Sequence, residues 1–283
     1  MGGSGPCYQV EEGLSSPQVL ILGCGFTGTR IAKLLRLRGI SVGVTTRNPS
    51  QFHALEAIGV SIHRWDLGAK IRLDLPESPT RVLHSVPDIS AVESANLWEL
   101  VQYLKPRRVV YLSTTGVYGT QFEVGADSIA QPRDDKGERR VAEEQFTLGG
   151  QWSGLVLRPA AIYGPHRGVH TQLRLGREPR ARSGMVSRIH GDDLANHALE
   201  GLLSELTGAF PVADEHPCSS MEIADFCRGI FRATGEGALP QTPIEIAGRK
   251  VDAKKTREAL GIGLIYPSYH SGVLASIAQE IGT

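Results

Sequence analysis

Long apolar runs are missing from this chain. Nowhere do about eighteen apolar residues follow one another, the length a helix needs to cross a bilayer, so no membrane passage is expected. An excess of one sign of charge is missing as well. Thirty basic side chains meet thirty acidic ones, and zero formal net charge gives no general attraction to nucleic acid or anionic lipid. Cysteine is scarce: Cys7, Cys24, Cys218 and Cys227 form no C-x-x-C pair and no zinc-type spacing with histidine. That argues against a disulfide framework or a metal site and points to free thiols in a reducing cytoplasm. The first sixteen residues hold no apolar stretch, so they read as neither signal peptide nor anchor. Pro6 stands where a myristoylation start wants Ser or Thr, and residues 1–17 are read as a flexible Gly/Ser-rich tail. Internal repeats are absent.

What is present is alternation. Of the 283 residues 41% are hydrophobic, enough for a sizeable core, and short apolar runs take turns with helical stretches. Strands are expected at Val19–Leu22, Ser41–Thr45, Val60–Trp65, Arg81–Val86, Arg108–Leu112 and Leu155–Leu157. Between them fall helices at Phe26–Arg38, Pro49–Ile58, Ala91–Leu104 and Asp135–Leu148. This is the pattern of an α/β fold with a doubly wound parallel sheet of Rossmann type. Past Gly164 the alternation weakens into an arginine-bearing loop (Arg174, Arg177, Arg180, Arg182, Arg188) and helices at Asp193–Leu203, Ser220–Thr234, Ala253–Leu260 and Ser271–Ile281. The expected division is therefore a dinucleotide-binding domain over 18–165 and a smaller substrate lobe over 166–283, interleaved with the sheet and facing its carboxyl edge.

Gly23-Cys24-Gly25-Phe26-Thr27-Gly28 is a G-x-G-x-x-G sequence placed after an apolar strand and at the opening of a helix. Gly23 would permit the tight turn, Gly25 would let backbone N–H groups approach a pyrophosphate, and Gly28 would allow close helix–strand packing. The backbone at Phe26 and Thr27 would then face the phosphates with the positive end of the helix. Strand two sets the cofactor choice. NAD-binding folds place Asp or Glu at its end for the ribose hydroxyls, but no acidic residue occurs between Glu12 and Glu56. Thr45-Thr46-Arg47-Asn48 stands there instead, a cation and polar groups suited to a 2′-phosphate. NADP(H) is favoured, with NAD(H) the alternative. Asp66, after strand three, reads either as a partner of the adenine amino group or as an exposed turn residue.

Hydroxyls follow strand five in Ser113-Thr114-Thr115-Gly116-Val117-Tyr118-Gly119. Taken with Leu157-Arg158-Pro159-Ala160-Ala161-Ile162-Tyr163-Gly164-Pro165 and Arg188-Ile189-His190-Gly191-Asp192-Asp193-Leu194-Ala195, the chain resembles the extended and atypical short-chain dehydrogenases. That is the NAD(P)-dependent epimerase/dehydratase superfamily, and the similarity is greatest to the atypical YeeZ-like proteins. It runs in order from Val19 to Ala195 and continues faintly to Tyr266-Pro267-Ser268-Tyr269. By this resemblance Thr114 matches the Ser/Thr that hydrogen-bonds the reacting oxygen, Pro159 lies beside the nicotinamide, and Tyr163 stands at the substrate mouth. His84-Ser85-Val86-Pro87 matches the strand-four segment whose backbone passes the cofactor. Arg158 is read as a buried hydrogen-bonding residue, and Asp192 or Asp193 as a helix N-cap.

Two departures stand out. The family's base is a Tyr with Lys four residues on, and none of the seven tyrosines here has Lys at that spacing. In the helix that aligns through Val141-Ala142-Glu143, Asp135 takes the Tyr position and Arg139 the Lys position, where a permanent cation would still hold a ribose. The glycine turn is also one residue shorter than the family's common G-x-x-G-x-x-G.

Two functions follow. One is an oxidoreductase or epimerase acting on a small hydroxyl- or carbonyl-bearing substrate, with Tyr118, Tyr163, His166 and Asp135 as candidate proton donors. The other is a dinucleotide-binding regulator or scaffold without turnover. The arginines between 174 and 188 suit an anionic small molecule better than nucleic acid. The helices Ala91–Leu104 and Asp135–Leu148 would pack in a homodimer or coat the sheet.

Overall fold

The four residues Val19–Leu22 are completely buried, yet they divide their loyalty. Val19 and Ile21 join one apolar cluster, with Ile31, Leu35, Leu194 and Ala198. Leu20 and Leu22 join another, with Leu97, Trp98 and Val101. A strand that is apolar on both faces sits in the middle of a sheet covered by helices on both sides. The computed structural model, which describes residues 17–68, 73, 75, 77–177, 184–233 and 248–282, has that architecture. The expected tail up to residue 16, Cys7, Arg180, Arg182 and Thr234 lie outside the described residues.

In chain order the elements are β1 (Val19–Leu22), α1 (Phe26–Leu37), β2 (Val42–Thr46), a 3-10 turn (Pro49–Gln51), α2 (His53–Glu56) and β3 (Ser61–Arg64). Next come β4 (Arg81–His84), α3 (Ala91–Leu104), β5 (Arg108–Leu112), a second 3-10 turn (Thr115–Tyr118), β6 (Glu123–Val124), α4 (Asp135–Gly149) and β7 (Ser153–Pro159). The rest comprises β8 (Ala161–Tyr163), α5 (Val169–Arg174), β9 (Arg188–His190), α6 (Gly191–Leu203), β10 (Gly208–Val212), α7 (Ser220–Ala233), β11 (Lys250–Val251), α8 (Lys254–Leu260) and α9 (Tyr269–Ile281).

Seven parallel strands form the main sheet in the order β3-β2-β1-β4-β5-β7-β10, with the direction of winding reversing between β1 and β4. In the register Leu22 lies opposite His84, Leu112 opposite Leu157 and Val212 opposite Pro159, so the carboxyl ends come out along one edge. Ligands of open α/β sheets collect at that reversal, outside the carboxyl ends. α1 and α6 cover one face, and α3 and α4 the other.

The division at residue 165 is one of sequence and not of space. α6 packs along α1, and β10 is the seventh strand of the sheet. β10 was not read as a strand because it holds Gly208 and Pro211. It lies at an edge, paired only with β7, where a proline N–H is not missed. What is separate is a smaller cluster of Tyr163, Leu173, Ile223, Cys227, Phe231, Val273 and Ile277, built largely by α5, α7 and α9. Two short parallel pairs, β8–β9 and β6–β11, tie this part to the sheet's carboxyl edge. The expected helix Pro49–Ile58 is also divided, because Phe52 leaves helical geometry at φ −118° between the 3-10 turn and α2.

Candidate functional site

The turn from β1 into α1 shows why its residues are glycines. Gly23 has φ +87°, and a Cβ there would stand 3.0 Å from Val86 Cγ2. A Cβ on Gly28 would stand 2.8 Å from the Gly23 carbonyl oxygen, so α1 could not come so close to the strand with any other residue. Gly25 differs from both. A Cβ there meets nothing within 4 Å, which leaves open space over the N-terminus of α1. No side chain caps that terminus, and its first turn holds no acidic residue. Thr45, 2% exposed, fixes the turn from β2: its hydroxyl accepts from Gly23 N at 3.0 Å, and its carbonyl accepts from Cys24 N at 3.1 Å.

This open end forms one side of a cleft of about 460 Å³. Gly23, Gly25, Arg47, Asn48, Asp66 and Ser85 line it together. Sequence reasoning missed its apolar lining, Phe52, Trp65, Leu67 and Ile89, and it missed Asp88, just beyond the expected segment Ser85-Val86-Pro87 that also lines it. Periodicity had marked Trp65 only as the end of a strand. The phosphate expectation at Thr45-Thr46-Arg47-Asn48 narrows. The Thr45 hydroxyl belongs to the glycine turn and the Thr46 hydroxyl accepts from Asn48 N at 3.2 Å, so exposed Arg47 and Asn48 remain to meet an anion. Asp66 faces the cleft while its Oδ1 accepts from Gly68 N at 3.0 Å, a turn role that coexists with its exposure. Two further acids on the wall are already engaged. Glu93 closes a capping box with Ser90, whose backbone N–H holds its carboxyl below the usual range. Asp88 takes two hydrogen bonds from Arg139, at 3.1 and 3.0 Å, and is held low by them.

The remaining candidates scatter. Phe26, Thr27 and Gly28 form the first turn of α1, with Thr27 and Gly28 buried. The Arg30 guanidinium lies 3.7 Å from the centre of the Phe26 ring and that of Arg167 lies 5.2 Å away. Thr114 follows β5 at the carboxyl edge, and its hydroxyl accepts from Gly116 N at 3.1 Å, which leaves its own proton free to be donated. Pro159 ends β7, buried and opposite Val212. Asp135 is exposed in the first turn of α4, and Arg139, one turn on, is bound to Asp88.

The two tyrosines named as candidate proton donors are both buried. Tyr118 is fully buried with the Arg158 guanidinium 4.9 Å from its ring centre, and burial pushes its hydroxyl up. Tyr163 is 3% exposed and sits in the cluster built largely by α5, α7 and α9. Its hydroxyl donates to the Ser268 carbonyl at 3.3 Å, its ring closes on Gly272 of α9, and burial pushes its ionisation far above the ordinary range. A phenol so buried and committed is a poor base. His166 is exposed, and its backbone N–H donates to Glu280 at 2.5 Å. Arg158 makes a buried pair with Glu144, which also accepts from Ser113 at 2.5 Å. Asp193 is not an N-cap: it accepts from Ile265 N and Tyr266 N, and the cap of α6 is His190, whose Nδ1 accepts from Asp192 N. Arg249 reaches the loop after Thr114 and donates to the carbonyls of Thr115, Gly119 and Gln121. Among the described residues no group of three or more His, Cys, Asp or Glu is placed to hold a metal, and no helix is long and apolar enough to cross a membrane.

Comparison of the whole architecture with solved structures identifies its fold. The chain is similar to a conserved protein of unknown function from Silicibacter pomeroyi, with a TM-score of 0.75, 27% identity, and coverage of 92% of this chain and 98% of that one. It is similar to the Bordetella bronchiseptica enzyme WbmG in complex with NAD and UDP, with a TM-score of 0.76, 17% identity, and coverage of 95% and 96%. It is similar to the UDP-glucose 4-epimerase of Thermotoga maritima, with a TM-score of 0.73, 17% identity, and coverage of 93% and 98%. The chain shares the Rossmann-type fold of these proteins.

Sequence relatives add two further likenesses. A 3-diazoavenalumate denitrifying reductase from Streptomyces is 25% identical over 300 residues, covering 90% of this chain and 99% of that protein. A stretch of 61 residues, 22% of this chain, is 44% identical to a protein from Arthroderma benhamiae described as a probable FAD-dependent monooxygenase, and spans 14% of that protein. No family model matches the chain.

Proposed function

We propose that this protein binds NADP(H) in the cleft above the glycine turn and transfers hydride to or from a small substrate bearing a hydroxyl or carbonyl group. One observation carries the reading: the space over Gly25 is empty where uncapped backbone N–H groups of α1 open into the 460 Å³ cleft. The nicotinamide dinucleotide, when bound, supplies the hydride or accepts it. The backbone N–H groups of Phe26 and Thr27 would hold its pyrophosphate, Phe52, Trp65, Leu67 and Asp66 would receive its adenine, and Arg47 with Asn48 would meet a 2′-phosphate. Thr114, its oxygen already oriented by Gly116, would donate a hydrogen bond that orients the reacting oxygen, which takes up a proton from solvent or releases one to it as hydride moves. The reductase likeness over 90% of the chain supports turnover.

Calorimetry with NADPH and NADH tests this directly. Gly25→Val is expected to fold, because its Cβ has room, and to weaken either dinucleotide about a hundredfold, roughly 2.7 kcal/mol, because the side chain fills the phosphate position. Wild-type affinity in folded Gly25→Val, or no heat from wild type with either cofactor, would overturn the reading. Arg47→Ala is expected to cost NADPH about tenfold and NADH almost nothing; equal effects on both would remove the case for the phosphorylated cofactor.

The burial of Tyr118 and Tyr163 favours a second reading, a dinucleotide-binding protein without turnover. Nicotinamide absorbance with a panel of carbonyl compounds and nucleotide sugars separates the two. Binding with no oxidation or reduction of any of them supports the second.

A further inference from the structure

The wall of the cleft opposite the glycine turn is the run Ser85 to Ile89, which leaves the end of β4 and includes no regular secondary structure. Its position decides how much room the dinucleotide has, since Val86 is the residue that approaches Gly23. The run is anchored from below. Val86 N donates to Nδ1 of His84, the last residue of β4, at 3.3 Å. Nδ1 can accept only if the ring proton sits on Nε2, and Nε2 faces Glu143 Oε2 at 3.2 Å. Glu143, on α4, also accepts from Trp98 Nε1 at 3.0 Å and from the Ser94 hydroxyl, both on α3. His84 is 1% exposed and Glu143 4%, and the Tyr111 ring of β5 stacks on His84 with centres 4.4 Å apart. Burial lowers the His84 pKa, which keeps the ring neutral and its acceptor intact at neutral pH.

We propose that His84 is a positioning residue for the dinucleotide: with its tautomer fixed by Glu143, it accepts from Val86 N and so holds the cleft wall at the spacing the cofactor needs. This rests on the reading of the cleft as a dinucleotide site. A residue that merely stabilised the core would change folding without regard to which ring nitrogen is kept, whereas a positioning role depends on Nδ1. The two nitrogens can be replaced separately. Asn places an amide oxygen where Nδ1 stands, and Gln places its terminal amide where Nε2 stands.

The experiment measures NADPH affinity by calorimetry for wild type, His84→Asn and His84→Gln, together with amide hydrogen exchange at Val86 in the unliganded proteins. His84→Asn is expected to stay within about threefold of wild type and to keep Val86 protected. His84→Gln is expected to bind about tenfold more weakly and to exchange faster at Val86, as a lost buried hydrogen bond implies. Equal affinities in the two variants, or the reverse order, overturn the proposal. Should either variant fail to fold, Glu143 provides the same test. Glu143→Gln still accepts from His84 and is expected to bind like wild type, while Glu143→Leu frees the ring to take the other tautomer and is expected to bind more weakly. Equal binding by those two overturns it as well. Absence of heat from wild type itself would sink the dinucleotide reading, and this inference with it; binding by wild type with indifferent variants sinks this inference alone.

Discussion

Thr45 shows how a side chain legible as polar can be committed to structure. It stands beside Arg47 in the sequence, yet its hydroxyl closes the glycine turn through Gly23 N. Thr45→Val keeps the shape and removes the acceptor, leaving a part-buried N–H without it, so a loss of about 1 kcal/mol in urea unfolding is expected. A loss below about 0.3 kcal/mol would mean that the turn holds itself. Asp214 offers a second test at this scale. It is 2% exposed just past β10, and burial pushes its carboxyl up to about 7, against the pull of Arg188. The folded state therefore keeps a proton there that the unfolded state releases near pH 4. Stability from this group is full below pH 4 and is lost as pH rises through about 7. Asp214→Asn is expected to gain on wild type steadily between pH 4 and pH 7 in chemical denaturation; a difference that does not change with pH would contradict the assignment.

Among the elements, long and periodic ones were readable and short ones were not. Helix Ala91–Leu104 has the boundaries the sequence suggested, since Ser90 and Glu93 form a capping box and Pro106 follows. β1 and β5 were equally plain as apolar runs between turn signals. The two-residue strands β6 and β11 left no pattern, and β10 was hidden by its proline. The site was legible in the same uneven way. The glycine turn was visible because backbone geometry restricts the residue type, but the apolar lining of the cleft was not, because no spacing in the sequence marks Phe52, Trp65 and Leu67 as sharing one cleft. Coupling between elements was also invisible. α4 is joined to β7 by the buried Glu144–Arg158 pair, with side chains 4% and 8% exposed. Glu144→Ala is expected to cost about 3–5 kcal/mol by stranding a buried guanidinium, while Glu144→Leu with Arg158→Met should recover most of it. Equal losses in the single and double variants would show that the pair's own attraction, and not a stranded charge, sets the cost.

For the molecule as a whole, acid is the natural stress. His190 and His197 are both buried, and burial lowers each to about 4. Unfolding lets both take protons near pH 6.5, so the stability they represent is present above that value and is lost as pH falls towards 4. The urea midpoint is expected to drop over this interval, opposed in part by Asp214; a flat midpoint from pH 6.5 to 4 would mean that both rings titrate alike in the folded and unfolded chains.

Arg249 carries a consequence for how this fold can vary. Its guanidinium grips the loop after Thr114 through three carbonyl oxygens and therefore cannot tell which side chains that loop bears. A side chain such as that of Thr120 can therefore be exchanged while the grip persists. Gly119 is the exception, because its φ of +60° and a Cβ clash with the Gln131 carbonyl leave no room for another residue. Side chains can vary on one face of this loop while its backbone stays clamped from the other.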